Sequence, residues 1–194
     1  MNYINEAEKE GQLVLFKEHA LLLNHPSYES EFAHGKGTTA GEPTVLGSGK
    51  RSVLNKTVLS DELLRTFKPT FLIRHPALTL ASMYRAARSD ALNREHKEPS
   101  LVEQSSIWIR TLFDFYQAQH DNGGERPLVL DADDMMTSPE LMLKYAKVAG
   151  LDPDKLRFSW EKATQEALNE MSAMAKMMLS SLNASDKVDL GKVA

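Results

Sequence analysis

The stretch Pro69-Thr70-Phe71-Leu72-Ile73-Arg74-His75-Pro76-Ala77-Leu78 indicates the fold class of this chain. An unbroken run of β-branched and apolar residues is typical of a strand that a parallel sheet buries on both faces. Proline at position 76 suits the first turn of a helix, where its missing N–H would have no partner. The stretch therefore predicts a strand, ending near Arg74, that leads directly into a helix.

The same alternation continues on both sides of this stretch. Short apolar runs at 12–17 and 127–130 predict two further strands, and apolar residues at helical spacing predict an amphipathic helix over 101–120. Another helix is predicted to start at Ser138 and to stop at Gly150. Strands that alternate with helices predict an α/β fold, a parallel sheet with flanking helices.

The length of 194 residues favours one domain, and we expect it to cover 1–194. Residues 24–56 show no regular period and predict a long irregular loop. Residues 159–182 predict a methionine-rich helical tail. The methionine stripe from Met171 to Met178 favours core or interface packing, with an adaptable apolar pocket as the alternative.

The composition argues against several classes of function. Lys and Arg total 23 against 27 Asp and Glu, a net charge of -4, which disfavours a nucleic-acid partner. The absence of cysteine excludes disulfides, zinc thiolates and thiol catalysis. No apolar run is long enough for a membrane span, and the start is acidic and polar, unlike a signal peptide. We expect a soluble, cytoplasmic protein with no membrane partner.

A cation and an imidazole follow the run at 12–17. In Lys17-Glu18-His19, strand alternation places Lys17 and His19 on one side. The imidazole is then placed to act as a general base beside an ammonium group. A solvated strand end is the alternative interpretation.

An arginine and a serine flank the helix start that follows the second run. Arg74 lies at the predicted strand end, and Ser82 lies in the first turns of the helix. Guanidinium, hydroxyl and the amides of a helix N-terminus together favour an anion such as phosphate. We expect both side chains to converge on one phosphate-sized space, although such an arginine often only pairs with a carboxylate.

Three motifs in this order resemble the cytosolic-type sulfotransferases, a branch of the P-loop nucleotide folds. They are Lys17-Glu18-His19, Arg74 with Ser82, and Asp133-Asp134 followed by Ser138-Pro139. The amino-acid sequence of residues 71–78 is similar in particular to that of sulfotransferase-like proteins of filamentous fungi. The resemblance spans about residues 12 to 190 and implies that Lys17 is a transition-state cation and His19 the catalytic base. It implies that Arg74 and Ser82 hold the 3'-phosphate of 3'-phosphoadenosine 5'-phosphosulfate.

The family's Lys-Ser-Gly-Thr-Thr type loop, which cradles the 5'-phosphosulfate after the first strand, has no counterpart upstream of Leu13. Residues 35–39 have similar letters but follow no apolar strand, and residues 47–52 depart from the Walker A pattern, so neither stretch is predicted to hold phosphate. The acidic residues at 131–134 are interpreted as a strand end and a helix entry, and no metal is expected.

In the fold that the resemblance implies, the phosphate-loop strand lies between the strands at 71–74 and 128–130. Without it, both strands would face a gap with unpaired backbone groups. We expect a second chain or a second copy to complete the sheet, the alternatives being further upstream residues or direct pairing of the two strands.

The motifs together predict a sulfotransferase-like enzyme of fungal secondary metabolism that acts on a small, hydroxylated and largely apolar metabolite. A tailoring enzyme that reuses the cleft for cyclisation, elimination or hydrolysis is one alternative. A catalytically silent binding or assembly protein is the other.

Overall fold

The computed structural model describes residues 6–7, 9–38, 45–89, 95, 97–188 and 190–192. In its first half, helix α1 (Pro26–His34) and helix α2 (Asp61–Leu64) precede strand β1 (Thr70–Ile73) and helix α3 (Pro76–Ala87). Helices α4 (Leu101–Gln104) and α5 (Ile107–His120) lead to strand β2 (Leu128–Asp131). The second half continues with short helices, which are α6 (Ala132–Thr137), α7 (Pro139–Ala149), α8 (Gln165–Glu170), α9 (Ala173–Met178) and α10 (Ser180–Ala184).

The sheet consists of β1 and β2, which pair in parallel with Thr70 opposite Leu128 and Ile73 opposite Asp131. The parallel sheet with flanking helices is therefore confirmed. The prediction of a gap between these two strands is wrong, because they form hydrogen bonds to each other directly. Direct pairing satisfies the backbone donors and acceptors that a gap would have left exposed.

Residues 12–17 do not form the predicted strand. They form no regular element and pair with neither strand, and Leu15 and Phe16 are 73% and 56% exposed. An apolar run indicates a tendency to be buried, but it cannot indicate whether a neighbouring strand is available to pair. Phe16 instead contacts the edge of the Phe67 ring, with 5.2 Å between ring centroids.

The core lies between the sheet, α2 and α5. Leu64, Phe71, Phe115 and Tyr116 form its buried cluster, and the aromatic rings meet edge to face. The Tyr116 hydroxyl donates to the Leu64 carbonyl oxygen at 2.9 Å. This bond joins α5 to the end of α2, six residues before the start of β1.

Part of the segment predicted to be an irregular loop, 24–56, is helical. Helix α1 lies within it, where the His25 imidazole accepts from the Ser27 amide and Pro26 occupies the first turn. Residues 39–44 of the same segment lie outside the described part of the chain. The α1 helix packs through Tyr28 and Phe32 against the buried Trp108.

Two other predicted helices are divided. The helix predicted over 101–120 breaks between α4 and α5, where the Ser105 hydroxyl accepts from the Ile107 amide and so competes with the helical bonding pattern. The methionine-rich tail forms α8, α9 and α10, and Ser172 caps α9 by accepting from the Ala175 amide. The helical part of the tail is therefore divided into three short helices.

Candidate functional site

Lys17 and His19 lie side by side in the structure. Lys17 Nζ is 2.8 Å from His19 Nε2, and both residues are exposed. A lysine ammonium has only donors, so Lys17 donates and the neutral imidazole carries its own proton on Nδ1. The pair therefore presents a cation and a proton acceptor at one point of the surface.

The backbone around His19 is ordered by the turn that follows it. The His19 carbonyl oxygen accepts from the Leu22 amide at 2.9 Å, which begins the 3-10 helix Ala20–Leu23. The Glu18 carboxylate accepts from the His19 amide at 2.7 Å. His19 is thus anchored through its main chain, while its ring remains exposed.

Arg74 and Ser82 lie on consecutive elements. Arg74 follows β1 directly and is half-buried, and Ser82 is exposed in α3, six residues after Pro76. At about 1.5 Å of rise per residue, Ser82 lies about 9 Å along the helix from its start. Their convergence on one phosphate-sized space stays a prediction.

The start of α3 is capped by its neighbour in sequence. His75 accepts from the Ala77 amide through Nδ1 at 3.3 Å, as His25 does at the start of α1. Sequence reasoning assigned no role to either histidine. The signal was present in both cases, since each histidine directly precedes a proline.

The acidic segment after β2 serves as a helix entry, as its sequence predicted. Asp131 Oδ1 accepts from the Asp133 amide at 2.8 Å and from the Asp134 amide at 3.5 Å, which caps α6. Within the described residues, no group of three or more ligating side chains is arranged to hold a metal ion. Nor is any described helix both long and apolar enough to cross a membrane.

The stretches at 35–38 and 47–52, whose letters resemble phosphate loops, form a helix terminus and a hydrogen-bonded bend region. Gly35 ends α1 with a positive φ of 95°, and the Thr38 hydroxyl donates back to its carbonyl oxygen. In the second stretch, the Ser52 amide donates to Asp61 and the Asp61 amide donates to the Lys50 carbonyl oxygen. Neither stretch lies between a strand and a helix, as a phosphate loop does; Thr39 lies outside the described residues.

Two cavities in the described part of the chain are lined by residues other than the four candidate residues. One of about 300 Å³ is lined by residues around Phe67, Gln119 and Gly124. The other, of about 560 Å³, is lined by Arg157, Ser159, Trp160 and Glu161. The Lys17–His19 pair is therefore a surface site in this structure.

Comparison with known proteins finds two similar proteins from filamentous fungi. This chain is 35% identical over 207 residues to "Sulfotransferase ppzF" of Metarhizium majus (strain ARSEF 297), and 34% identical over 207 residues to the protein of that name from Metarhizium rileyi (strain RCEF 4871). Each similarity covers 98% of this chain. This chain is therefore similar, over nearly its whole length, to fungal proteins named as sulfotransferases. The resemblance to such proteins of filamentous fungi is thereby confirmed.

The chain spans 59% of the length of these two relatives. No family model matches it. No solved structure matches it either.

The resemblance to sulfotransferases implies the donor 3'-phosphoadenosine 5'-phosphosulfate, and the described residues have suitable donor types for one half of it, although their convergence on that half stays a prediction. A guanidinium at Arg74 and a hydroxyl at Ser82 are the donor types that a 3'-phosphate needs. For the phosphosulfate half, the stretch at 35–38 bonds as a helix terminus, so the described residues offer no matching loop there. The fit is partial.

Sequence reasoning missed Asn55, whose side chain makes four hydrogen bonds beneath the surface near the turn that follows His19. It lies in the segment predicted to be irregular. Its partners at 57–61 are close in sequence, but a cluster of polar residues is equally typical of a solvated loop.

Proposed function

We propose that this chain is a sulfotransferase-like enzyme on a P-loop type fold that acts on a small, hydroxylated and largely apolar metabolite, with His19 as general base. The observation that carries the proposal is the 2.8 Å contact between Lys17 Nζ and His19 Nε2. Its family context is the similarity to two fungal proteins named as sulfotransferases. A place in fungal secondary metabolism and in the cytoplasm belongs to the same proposal.

The chemistry of the pair follows from its hydrogen bond. Because Lys17 donates to Nε2, the single lone pair of Nε2 is the acceptor in this bond. An acceptor hydroxyl that replaces Lys17 at Nε2 can transfer its proton there as its oxygen becomes nucleophilic. The ammonium released by this exchange remains within reach, where it stabilises developing negative charge.

The surroundings of the pair favour an apolar acceptor. Leu15 and Phe16 are mostly exposed immediately before Lys17. An apolar molecule that covers them removes their surface from water at the same time as its own. A hydroxyl at one end of such a molecule would then lie beside the base.

The donor half of the proposal rests on Arg74 and Ser82. When bound, the donor supplies the sulfuryl group, and these two residues hold its 3'-phosphate. Arg74 contributes a fixed charge from the end of β1, and Ser82 contributes a neutral donor from α3. Both interactions orient the nucleotide and leave proton transfer to His19.

A second candidate function is a tailoring enzyme without a sulfate donor. The helix-terminus bonding of 35–38, the stretch with phosphate-loop letters, favours it. In that case the same imidazole acts as acid or base for a cyclisation, elimination or hydrolysis. His19 would remain essential, and the nucleotide would have no effect.

The test is transfer of labelled sulfate from 3'-phosphoadenosine 5'-phosphosulfate to a panel of small apolar alcohols and phenols. We expect wild type to label at least one acceptor and His19→Ala to lose about 10²–10⁴-fold in rate without loss of fold. His34→Ala, which removes another exposed histidine, is the matched control and should keep the rate. Equal rates for the two variants would contradict the role of His19, and labelling of no acceptor would contradict sulfuryl transfer.

A further inference from the structure

A buried asparagine, Asn55, forms hydrogen bonds to Thr57, Leu59 and Asp61 in the segment before β1. Asn55 is only 3% exposed. Its Oδ1 accepts from the amide and the hydroxyl of Thr57, at 2.9 and 2.8 Å. Its Nδ2 donates to the Leu59 carbonyl oxygen at 2.8 Å and to Asp61 Oδ1 at 2.7 Å. All four hydrogen-bonding positions of this amide are therefore used.

Thr57 accounts for two of the four Asn55 hydrogen bonds. It pairs with the segment that follows His19 in sequence. Thr57 and Asn24 form an antiparallel bridge. On its two sides, the His25 amide donates to the Lys56 carbonyl oxygen and the Val58 amide donates to the Leu23 carbonyl oxygen, each at 2.8 Å. Both bridge residues are buried, so these bonds are shielded from water.

A short rigid segment connects the bridge to His19. The 3-10 helix Ala20–Leu23 starts from the His19 carbonyl oxygen and contacts α5. The Asn24 amide donates to the Leu21 carbonyl oxygen at 3.1 Å and closes the turn just before the bridge. Backbone hydrogen bonds thus run without a break from the Asn24–Thr57 bridge to the His19 carbonyl oxygen.

We propose that Asn55 is a positioning residue for His19, acting through Thr57 and the Asn24–Thr57 bridge. The inference rests on the proposed function for the importance of His19. It goes beyond that function by assigning the geometry of the Lys17–His19 pair to a buried amide over 30 residues away in sequence. Asn55 touches neither substrate nor donor in this role.

A purely stabilising role for Asn55 gives a different expectation. A stabilising residue would affect His19 only in proportion to the loss of global stability, and any equally destabilising change would do the same. Tyr116→Phe is the matched control, because it removes a buried hydrogen bond between α5 and Leu64 and leaves the bridge unchanged. A positioning role affects His19 in the Asn55 variant alone.

The experiment compares wild type, Asn55→Ala and Tyr116→Phe as folded chains, by amide hydrogen exchange and by nitrogen NMR of labelled histidine rings. His19→Gln identifies the His19 signals among the six histidines. In Asn55→Ala we expect protection of the His25 and Val58 amides to fall by about tenfold or more. The His19 ring nitrogens should shift from one tautomer to the average of a free imidazole.

Tyr116→Phe should keep both signals at their wild-type values. The inference is overturned if Asn55→Ala leaves the His25 and Val58 protection and the His19 ring shifts unchanged, or if Tyr116→Phe changes them equally. Should Asn55→Ala not fold, Thr57→Val removes only the hydroxyl bonds of the same network, and Thr57→Ser restores them. The His25 and Val58 protection should then fall in the valine variant and return in the serine variant, and equal protection in the two would overturn the inference.

These readouts do not depend on catalysis. If His19→Ala keeps full transfer activity, the proposed function fails while the exchange and NMR results still decide the role of Asn55. If the bridge amides do not respond, the positioning role fails while the transfer assay still decides the function of His19.

Discussion

Replacement of Asp61 by asparagine should destabilise the chain in a way that depends on pH. The carboxylate is 6% exposed and accepts from Asn55 Nδ2 at 2.7 Å and from the Ser52 amide at 3.1 Å, and Arg65 lies 3.6 Å away. Burial alone would raise the pKa of Asp61, but these hydrogen bonds and the arginine outweigh it and lower the pKa below the ordinary 3.8. Folding therefore favours the charged form.

The magnitude follows from the bonds that Asp61→Asn weakens. Asparagine keeps an oxygen that accepts from Asn55, but it loses the charge that strengthens each bond. A hydrogen bond to a charged group contributes about 1.5–3 kcal/mol against about 0.5–1.5 kcal/mol for a neutral one. Two such bonds are weakened, so we expect Asp61→Asn to lower the free energy of unfolding by about 2–3 kcal/mol at pH 7.

The sign of the pH dependence is set by the lowered pKa. The contribution of the charged Asp61 is fully present above the unfolded value of 3.8 and is lost as the pH falls through the lower folded pKa. The difference between wild type and Asp61→Asn should therefore be largest at neutral pH and should shrink towards zero in acid below 3.8.

Urea unfolding of both chains at a series of pH values measures this difference. Asp114→Asn, which removes an exposed carboxylate paired with Arg110 on the surface of α5, is the control and should change stability by less than about 0.5 kcal/mol. A difference for Asp61→Asn that is constant from neutral to acid pH, or a variant more stable than wild type at pH 7, would refute the reasoning.

Two further outcomes are expected. Phe115→Ala should lower the free energy of unfolding by about 3–5 kcal/mol, because the ring is 0% exposed at the centre of the core; a urea midpoint close to that of wild type would contradict this packing. The chain should sediment as a species heavier than 21.7 kDa, because a second copy can cover the exposed apolar segment 13–16 and the exposed side of the sheet at Leu72 and Val129; a monomer at all concentrations would exclude such a second copy.

Local signals in the sequence predicted β1 and the helix that follows it. An apolar run and a proline at position 76 are properties of neighbouring residues, and they specify a strand end and a helix start without reference to the rest of the chain. Pairing of β1 with β2 depends on two segments more than 50 residues apart, so the sequence could not distinguish direct pairing from a gap. The run at 12–17 shows the same limit, since it has the strand pattern but pairs with no strand in the described part of the chain.

The candidate site was predictable to the same degree. Alternation of side chains in an extended segment brings Lys17 and His19 together whether or not a sheet forms, so their contact follows from spacing alone. The role of Asn55 did not follow, because it depends on burial and on the bridge between Asn24 and Thr57. Neither property has a periodic signal in the sequence.

A sulfotransferase-like function requires that the chain bind the donor nucleotide, and calorimetric titration with 3',5'-adenosine bisphosphate tests this most directly. We predict binding in the micromolar range for wild type, and about tenfold or greater weakening in Arg74→Ala. Arg85→Ala, which removes another arginine from α3, should bind as wild type does. Absence of binding to wild type, or equal affinities of the two arginine variants, would contradict the account.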